Sequence, residues 1–239
     1  ALKNIQWARL LSILNYVYDN NTFYRNILTN ANIHPLDIKC FDDIKKIPIV
    51  TKEDIRNAQD DIISKGYEKK YLIKYKTGGS TGTSFEGYIT EECSELRNSC
   101  TIRHDRWSGW DLGDAVGAVW GNINTDRTIK EIIKEYILTK YIFLDTMNVN
   151  EYTVKLFANQ WQKVKPSLLF GHAHSLYLLA QYVSDLNLST IRPRSIISSS
   201  MTLMDHERKK IENVFGVKVY DRYGCEEVGL IASECEKHM

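Results

Sequence analysis

The chain has 239 residues, 43% of them hydrophobic, and its 31 Lys and Arg nearly balance 30 Asp and Glu for a net charge of +1. That length can bury one sizeable core, and that charge gives no electrostatic ground for binding nucleic acid or an anionic membrane surface. No apolar run is long enough to cross a bilayer, and five cysteines without a tight spacing suit reduced thiols, so the expectation is a cytoplasmic chain without membrane insertion. Trp7, Leu10, Leu11, Leu14, Val17 and Tyr18 recur at helical spacing and predict an amphipathic first helix. Thr51-Lys52-Glu53-Asp54 has the form of a capping box that opens another. Up to about Lys70 the chain reads as a mostly helical lead-in.

Residues 71–239 alternate between short apolar runs and helical patterns. Helices are expected over 91–107, 126–139, 150–164, 175–186 and 205–215. Glu91 and Glu92 complement the dipole of the first of these, and Pro166 closes the third. Strands are expected over 115–120, 141–144, 167–170, 194–198 and 217–220. Strands separated by helices predict an α/β class: a largely parallel sheet with crossover helices, preceded by the helical N-terminal region. In such sheets ligands bind at the carboxyl ends of the strands. Gly171, the run Ser199-Ser200-Met201-Thr202, and Tyr223 to Glu227 each follow a predicted strand, so all are expected to face one crevice.

Two segments carry the chemistry. Thr77-Gly78-Gly79-Ser80-Thr81-Gly82-Thr83 packs three glycines and four hydroxyl residues into seven positions. Gly lets consecutive amides turn toward one anion, and Ser and Thr add donors without bulk. The segment lacks the Gly-Lys-Ser/Thr end of a Walker loop and the Gly-x-Gly-x-x-Gly of a dinucleotide fingerprint. Asp221-Arg222-Tyr223-Gly224-Cys225-Glu226-Glu227 follows the apolar run Val217-Lys218-Val219-Tyr220. Upstream stand Phe23-Tyr24-Arg25 and Ile47-Pro48-Ile49-Val50-Thr51-Lys52, and further on Lys165-Pro166-Ser167-Leu168-Leu169-Phe170-Gly171 and Ser198-Ser199-Ser200-Met201.

In this order the segments resemble the adenylate-forming enzymes, and within them the group of phenylacetate–CoA ligases and capsular polysaccharide biosynthesis proteins. The resemblance implies that residues 77–83 cradle the phosphates of ATP and that Ser199, Ser200 and Met201 lie beside adenine. It also sets Asp221, Arg222, Tyr223 and Gly224 around the nucleotide, with the Tyr223 ring on adenine, and gives Glu227 the catalytic role of holding Mg2+. Glu226 stands where the family carries a hydroxyl residue near the α-phosphate, and Met201 where it commonly carries Glu. Gly171 and His172 fall on the side of the carboxylate substrate, with His172 in place of the usual Tyr. The cofactors implied are ATP or AMP and Mg2+, with CoA an acceptor the family uses. The family continues past the Tyr-Gly motif, so the chain is expected to be the nucleotide-binding part of an incomplete large domain. The ribose-binding Asp, the hinge and the C-terminal domain with its adenylation Lys would be absent, and the missing part or a second copy of the chain would complete the site.

Other residues admit more than one reading. Cys235 and His238 have the spacing of two zinc ligands, which some members of the group supplement with downstream cysteines, or are an ordinary surface terminus. His172-Ala173-His174 is either a metal pair or a substrate-side loop. Trp107, Trp110 and Trp120 form either an aromatic pocket or plain core. For the chain as a whole the alternative to an enzyme part is a non-catalytic nucleotide-binding or interaction module that kept the sheet.

Overall fold

The computed structural model describes residues 1–76, 86–121 and 140–238. Contacts divide the chain into two compact units, Ala1–Ser94 and Glu95–Met239. The first unit begins with α1 (Leu2–Asn20) and α2 (Thr22–Asn30). All six residues predicted to line the apolar face of α1 are half-buried, and none is fully buried. Asn21 joins the two helices. It is 3% exposed, its Oδ1 accepts the Tyr24 N–H at 3.0 Å, and its Nδ2 donates to the Ile62 carbonyl at 2.9 Å. The predicted capping box opens α3 (Lys52–Asn57): Thr51 Oγ1 accepts from the Asp54 amide and Asp54 Oδ2 from the Thr51 amide.

The unit also holds an antiparallel hairpin that the sequence pattern did not announce, β1 (Ile73–Lys76) with β2 (Glu86–Ile89). Four residues per strand are too few to show a period. The glycine-rich segment from Thr77 to Thr83 falls between these strands in sequence and lies outside the described residues, as does the helix expected over 126–139.

The second unit is built on a six-stranded sheet. Its strands are β3 (Val116–Val119), β4 (Tyr141–Leu144), β5 (Leu168–His172), β6 (Ser195–Ser199), β7 (Val219–Cys225) and β8 (Gly229–Ser233), in the order β4-β3-β5-β6-β7-β8. The first five pair in parallel and β8 runs antiparallel to β7. Helices α5 (Glu151–Val164), α6 (Ala173–Asp185) and α7 (Asp205–Phe215) make the crossovers from β4 to β7. Every residue of β3 and β6 is buried, the mark of strands covered on both faces.

Period-two alternation assigns residues to the faces. Val119, Leu169, Ile196 and Val219 join Phe157 and Trp161 of α5, Leu176 and Leu179 of α6 and Ile211 of α7 in one core. Each of these large side chains contributes about 1.5–3 kcal/mol by leaving water. Val116, Leu168 and Ile197 point the other way, into a smaller cluster around Trp110 with Phe170 and Tyr220 at its edge. The lower end of this second face is closed by the 3-10 turn Arg106–Ser108, which follows α4 (Glu91–Asp105); Ser108 Oγ lies 3.3 Å from Ser195 Oγ.

The last predicted strand is corrected. It was expected to end at Tyr220, with the Tyr-Gly motif beyond it. Instead β7 continues through Cys225 because β8 folds back on it, with Arg222 opposite Ser233 and Cys225 opposite Gly229. The edge strand supplies backbone partners past the end of the parallel ladder. Asp221, Arg222, Tyr223 and Gly224 are therefore strand residues, and 226–228 form the hairpin turn.

Candidate functional site

On the second face, at the carboxyl ends of the strands, a cleft of about 520 Å³ opens between α4 and the sheet. Alternation aims Trp120, Phe170 and His172, Ser199, and Arg222 to this side. Trp120 stands one residue past β3, where its N–H extends the ladder to the Leu144 carbonyl at 3.1 Å. Its ring stacks on Phe170 (centroids 4.9 Å apart, planes 17° apart) and meets His172 at 3.9 Å. The Arg222 guanidinium lies 4.6 Å from the centre of the Phe170 ring, a contact worth up to about 2 kcal/mol where water is excluded. Trp120, Phe170 and Arg222 form a continuous stack along the floor of the cleft, with His172 packed at a tilt against Trp120.

Electrostatics sharpen this floor. Arg222 donates to Asp105 Oδ1 at 2.8 Å, with both side chains only 16% exposed. Burial pushes the Asp105 carboxyl above its ordinary value, and the charge of Arg222 opposes that rise. Burial holds the His172 imidazole below the usual histidine value, which favours its neutral form. Beyond β6 the chain turns over the cleft at Ser200, whose φ of 67° is left-handed. A non-glycine residue holds that geometry at a cost of about 1–2 kcal/mol, and such strain gathers at ligand-binding loops.

The residues singled out from sequence divide as follows. Ser199, Ser200, Arg222, Gly224 and Glu226 line the cleft, together with Trp120 and Phe170. Tyr223 alternates away from Arg222 and its side chain is 65% exposed. Met201 is 51% exposed beside the Ser200 turn. Gly171 is a packing residue: a Cβ there would stand 2.8 Å from the Val119 carbonyl oxygen and 3.0 Å from Leu176. Asp221 is not among the residues lining the cleft. Burial raises its carboxyl against the pull of Arg208, and its Oδ1 is buried without a hydrogen-bond partner among the described residues. Glu226 and Glu227 are both exposed in the turn, so the alternation of an extended strand does not separate them.

The tryptophans do not form one pocket. Trp110 is core, 6% exposed, with its Nε1 donating to the Asp114 carbonyl at 3.2 Å. Trp107 packs on His104, and Trp120 alone reaches the cleft. His172 ends β5 and His174 begins α6, where His174 Nδ1 pairs with Glu207 at 2.9 Å. Cys235 and His238 come together at the end of the chain, with the His238 N–H on the Cys235 carbonyl at 2.9 Å and its ring 4.5 Å from Tyr220. Among the described residues, no group of three or more His, Cys, Asp or Glu side chains is placed to hold a metal ion. A second cavity of about 540 Å³ lies at the opposite, amino-terminal edge of the sheet, where Arg194 pairs with Asp114; none of the motif residues beyond Lys165, Pro166 and Ser167 reaches it. Sequence reasoning missed Arg97, Asn98 and Thr101, which form the helical wall of the site, and Asp105, which holds Arg222 from behind it; none belongs to a motif.

The fold is that of the acyl-CoA ligases. Across 96% of this chain and 51% of the other, it matches a 2-hydroxyisobutyryl-CoA ligase solved in an open conformation with 2-HIB-AMP and CoA, at a TM-score of 0.72 and 18% identity. The same enzyme in its thioesterification state matches at a TM-score of 0.70 over 97% of the chain. In sequence the chain is a homologue of Protein CapK of Staphylococcus aureus, 26% identical over 233 residues, or 95% of this chain and 50% of CapK. It is also a homologue of the phenylacetate–coenzyme A ligase of Pseudomonas putida, 28% identical over 122 residues, or 51% of this chain and 28% of that enzyme. The family resemblance read from the motifs is therefore borne out. The chain spans about half the length of CapK. No family model matches it.

Proposed function

We propose that this chain supplies the nucleotide-binding part of a ligase that activates a carboxylate with ATP. The carboxylate oxygen attacks the α-phosphorus, pyrophosphate leaves, and the acyl-adenylate then passes its acyl group to CoA or another acceptor. The observation that carries this reading is the single cleft at the carboxyl ends of β5, β6 and β7. It gathers Ser199, Ser200, Arg222, Gly224 and Glu226 from two separate motifs onto one surface. The Ser199 and Ser200 hydroxyls offer small donors to the edge of adenine, whereas Tyr223, which the motif sets on adenine, takes the strand position that alternates away from the cleft. The Trp120 and Phe170 rings, with the His172 imidazole packed on Trp120 and favoured in its neutral form by burial, are the side for the body of the carboxylate.

Mg2+ fits the residues present. It takes one or two protein carboxylates and completes its octahedron with phosphate oxygens and water, and the β7–β8 turn presents two exposed glutamates. Bound there, it would neutralise phosphate charge as pyrophosphate leaves. The motif assigns this carboxylate to Glu227. Titrating ATP with and without Mg2+ into Glu227→Gln and Glu226→Gln tests the assignment. Glu227→Gln is expected to lose about tenfold in Mg2+-dependent affinity, about 1.4 kcal/mol, with Glu226→Gln changed far less. Equal losses, or a larger loss at Glu226, would overturn the alignment of the motif.

A further inference from the structure

The β7–β8 turn is gripped by a residue that belongs to no motif. Arg97 projects from α4, where its Nη1 donates to the Glu226 carbonyl at 3.0 Å and its Nη2 to the Glu227 carbonyl at 2.5 Å. The stem of the same side chain lies along Gly229, the first residue of β8. A Cβ at Gly229 would stand 3.2 Å from Arg97 Cγ and 3.3 Å from Cδ, and Gly229 has a left-handed φ of 78°. A planar guanidinium fork can meet two successive carbonyls at once, which a lysine ammonium cannot. One acceptor belongs to Glu227, the candidate Mg2+ ligand, and the other to its neighbour Glu226. Adjacent glutamates repel one another, and a three-residue turn between short strands has little backbone pairing of its own, so an outside clamp decides where these carboxylates stand. Arg97 also lines the cleft itself.

We propose that Arg97 is a positioning residue of the nucleotide site: by clamping the 226–228 turn to α4 it fixes the backbone that carries Glu227, the carboxylate assigned to Mg2+-bound ATP. This rests on the reading of the cleft as an ATP site. The test uses the 239-residue chain with Arg97→Met and Arg97→Lys and reads three quantities: hydrogen exchange of the 226–228 amides, ATP affinity with and without Mg2+, and the urea midpoint. Arg97→Met is expected to speed exchange in the turn about tenfold or more. It should also cut the Mg2+-dependent gain in ATP affinity about tenfold, with affinity lacking Mg2+ held within about twofold and the urea midpoint nearly unmoved. Arg97→Lys keeps the charge and reaches one carbonyl, so it should fall between Met and the parent; it also decides the matter if Arg97→Met does not fold. Parent-like Mg2+ dependence in Arg97→Met would overturn the positioning role and leave the ATP reading standing. Parent-like behaviour of Arg97→Lys would show that charge alone acts, and equal losses with and without Mg2+ alongside a lowered urea midpoint would show a merely structural residue. A parent chain without any Mg2+-dependent ATP affinity would remove the ATP reading and the proposal together.

Discussion

Arg222 shows how one residue serves both stability and the site. It is mostly buried, stacked on Phe170 and bonded to Asp105. Removing one member of a buried ion pair strands the other without water or partner, at a cost of about 3–5 kcal/mol. Asp105→Ala is therefore expected to lower unfolding free energy by about 3 kcal/mol in urea titrations, and Asp105→Ala with Arg222→Met to recover much of it. Additive losses in the double variant would show that the two side chains do not act as a pair. His172 makes a pH-dependent contribution whose sign follows from its depressed pKa. The unfolded imidazole titrates near its ordinary value of about 6.5, above the folded one. As pH falls from there, the unfolded state takes up a proton that the folded state resists, so stability drops on acidification and is flat above. His172→Asn should flatten that limb below about pH 6.5; a slope unchanged in the variant would place the titration elsewhere.

At the scale of elements, the site depends on how closely β5 lies against β3 and α6. Gly171 permits that approach, because a methyl group there would meet the Val119 carbonyl at 2.8 Å, and a backbone atom cannot step aside. Gly171→Ala is expected to cost about 1–3 kcal/mol by overpacking, measured as a shift of the urea midpoint, with Trp120–His172 stacking loosened in the near-ultraviolet dichroism. A neutral substitution would mean that the strands have room to spread. The helices, by contrast, were legible locally. The capping box at Thr51 and the six half-buried positions of α1 follow from spacings of three and four residues. α5 likewise opens at Asn150, whose side chain accepts the Thr153 N–H at 3.1 Å, and closes where Lys165 turns left-handed before Pro166. The β1–β2 and β7–β8 hairpins were not legible, because the four-residue β1 and β2 and the five-residue β8 leave too few alternations to count.

At the scale of the whole molecule, the chain spans about half of CapK. Under the proposed function, nucleotide binding and turnover are separable expectations. The 239-residue polypeptide by itself is expected to bind ATP in calorimetry and to show only background carboxylate-dependent ATP–pyrophosphate exchange. Robust exchange would show that these residues suffice for adenylation. The sequence by itself determined the α/β alternation, the largely parallel sheet and the relationship to ligases, since these rest on periodicities and motifs spanning a few neighbouring residues. Only the tertiary structure decided which residues share the cleft. It joined Arg222 to Asp105 across 117 positions and Arg97 to Glu226 across 129, and it sent Trp110 to the core while keeping Trp120 for the site. The physical reason is register. Which side chain meets which across a parallel sheet depends on how the strands align and which face each position takes, and a one-residue shift would reverse every such pairing.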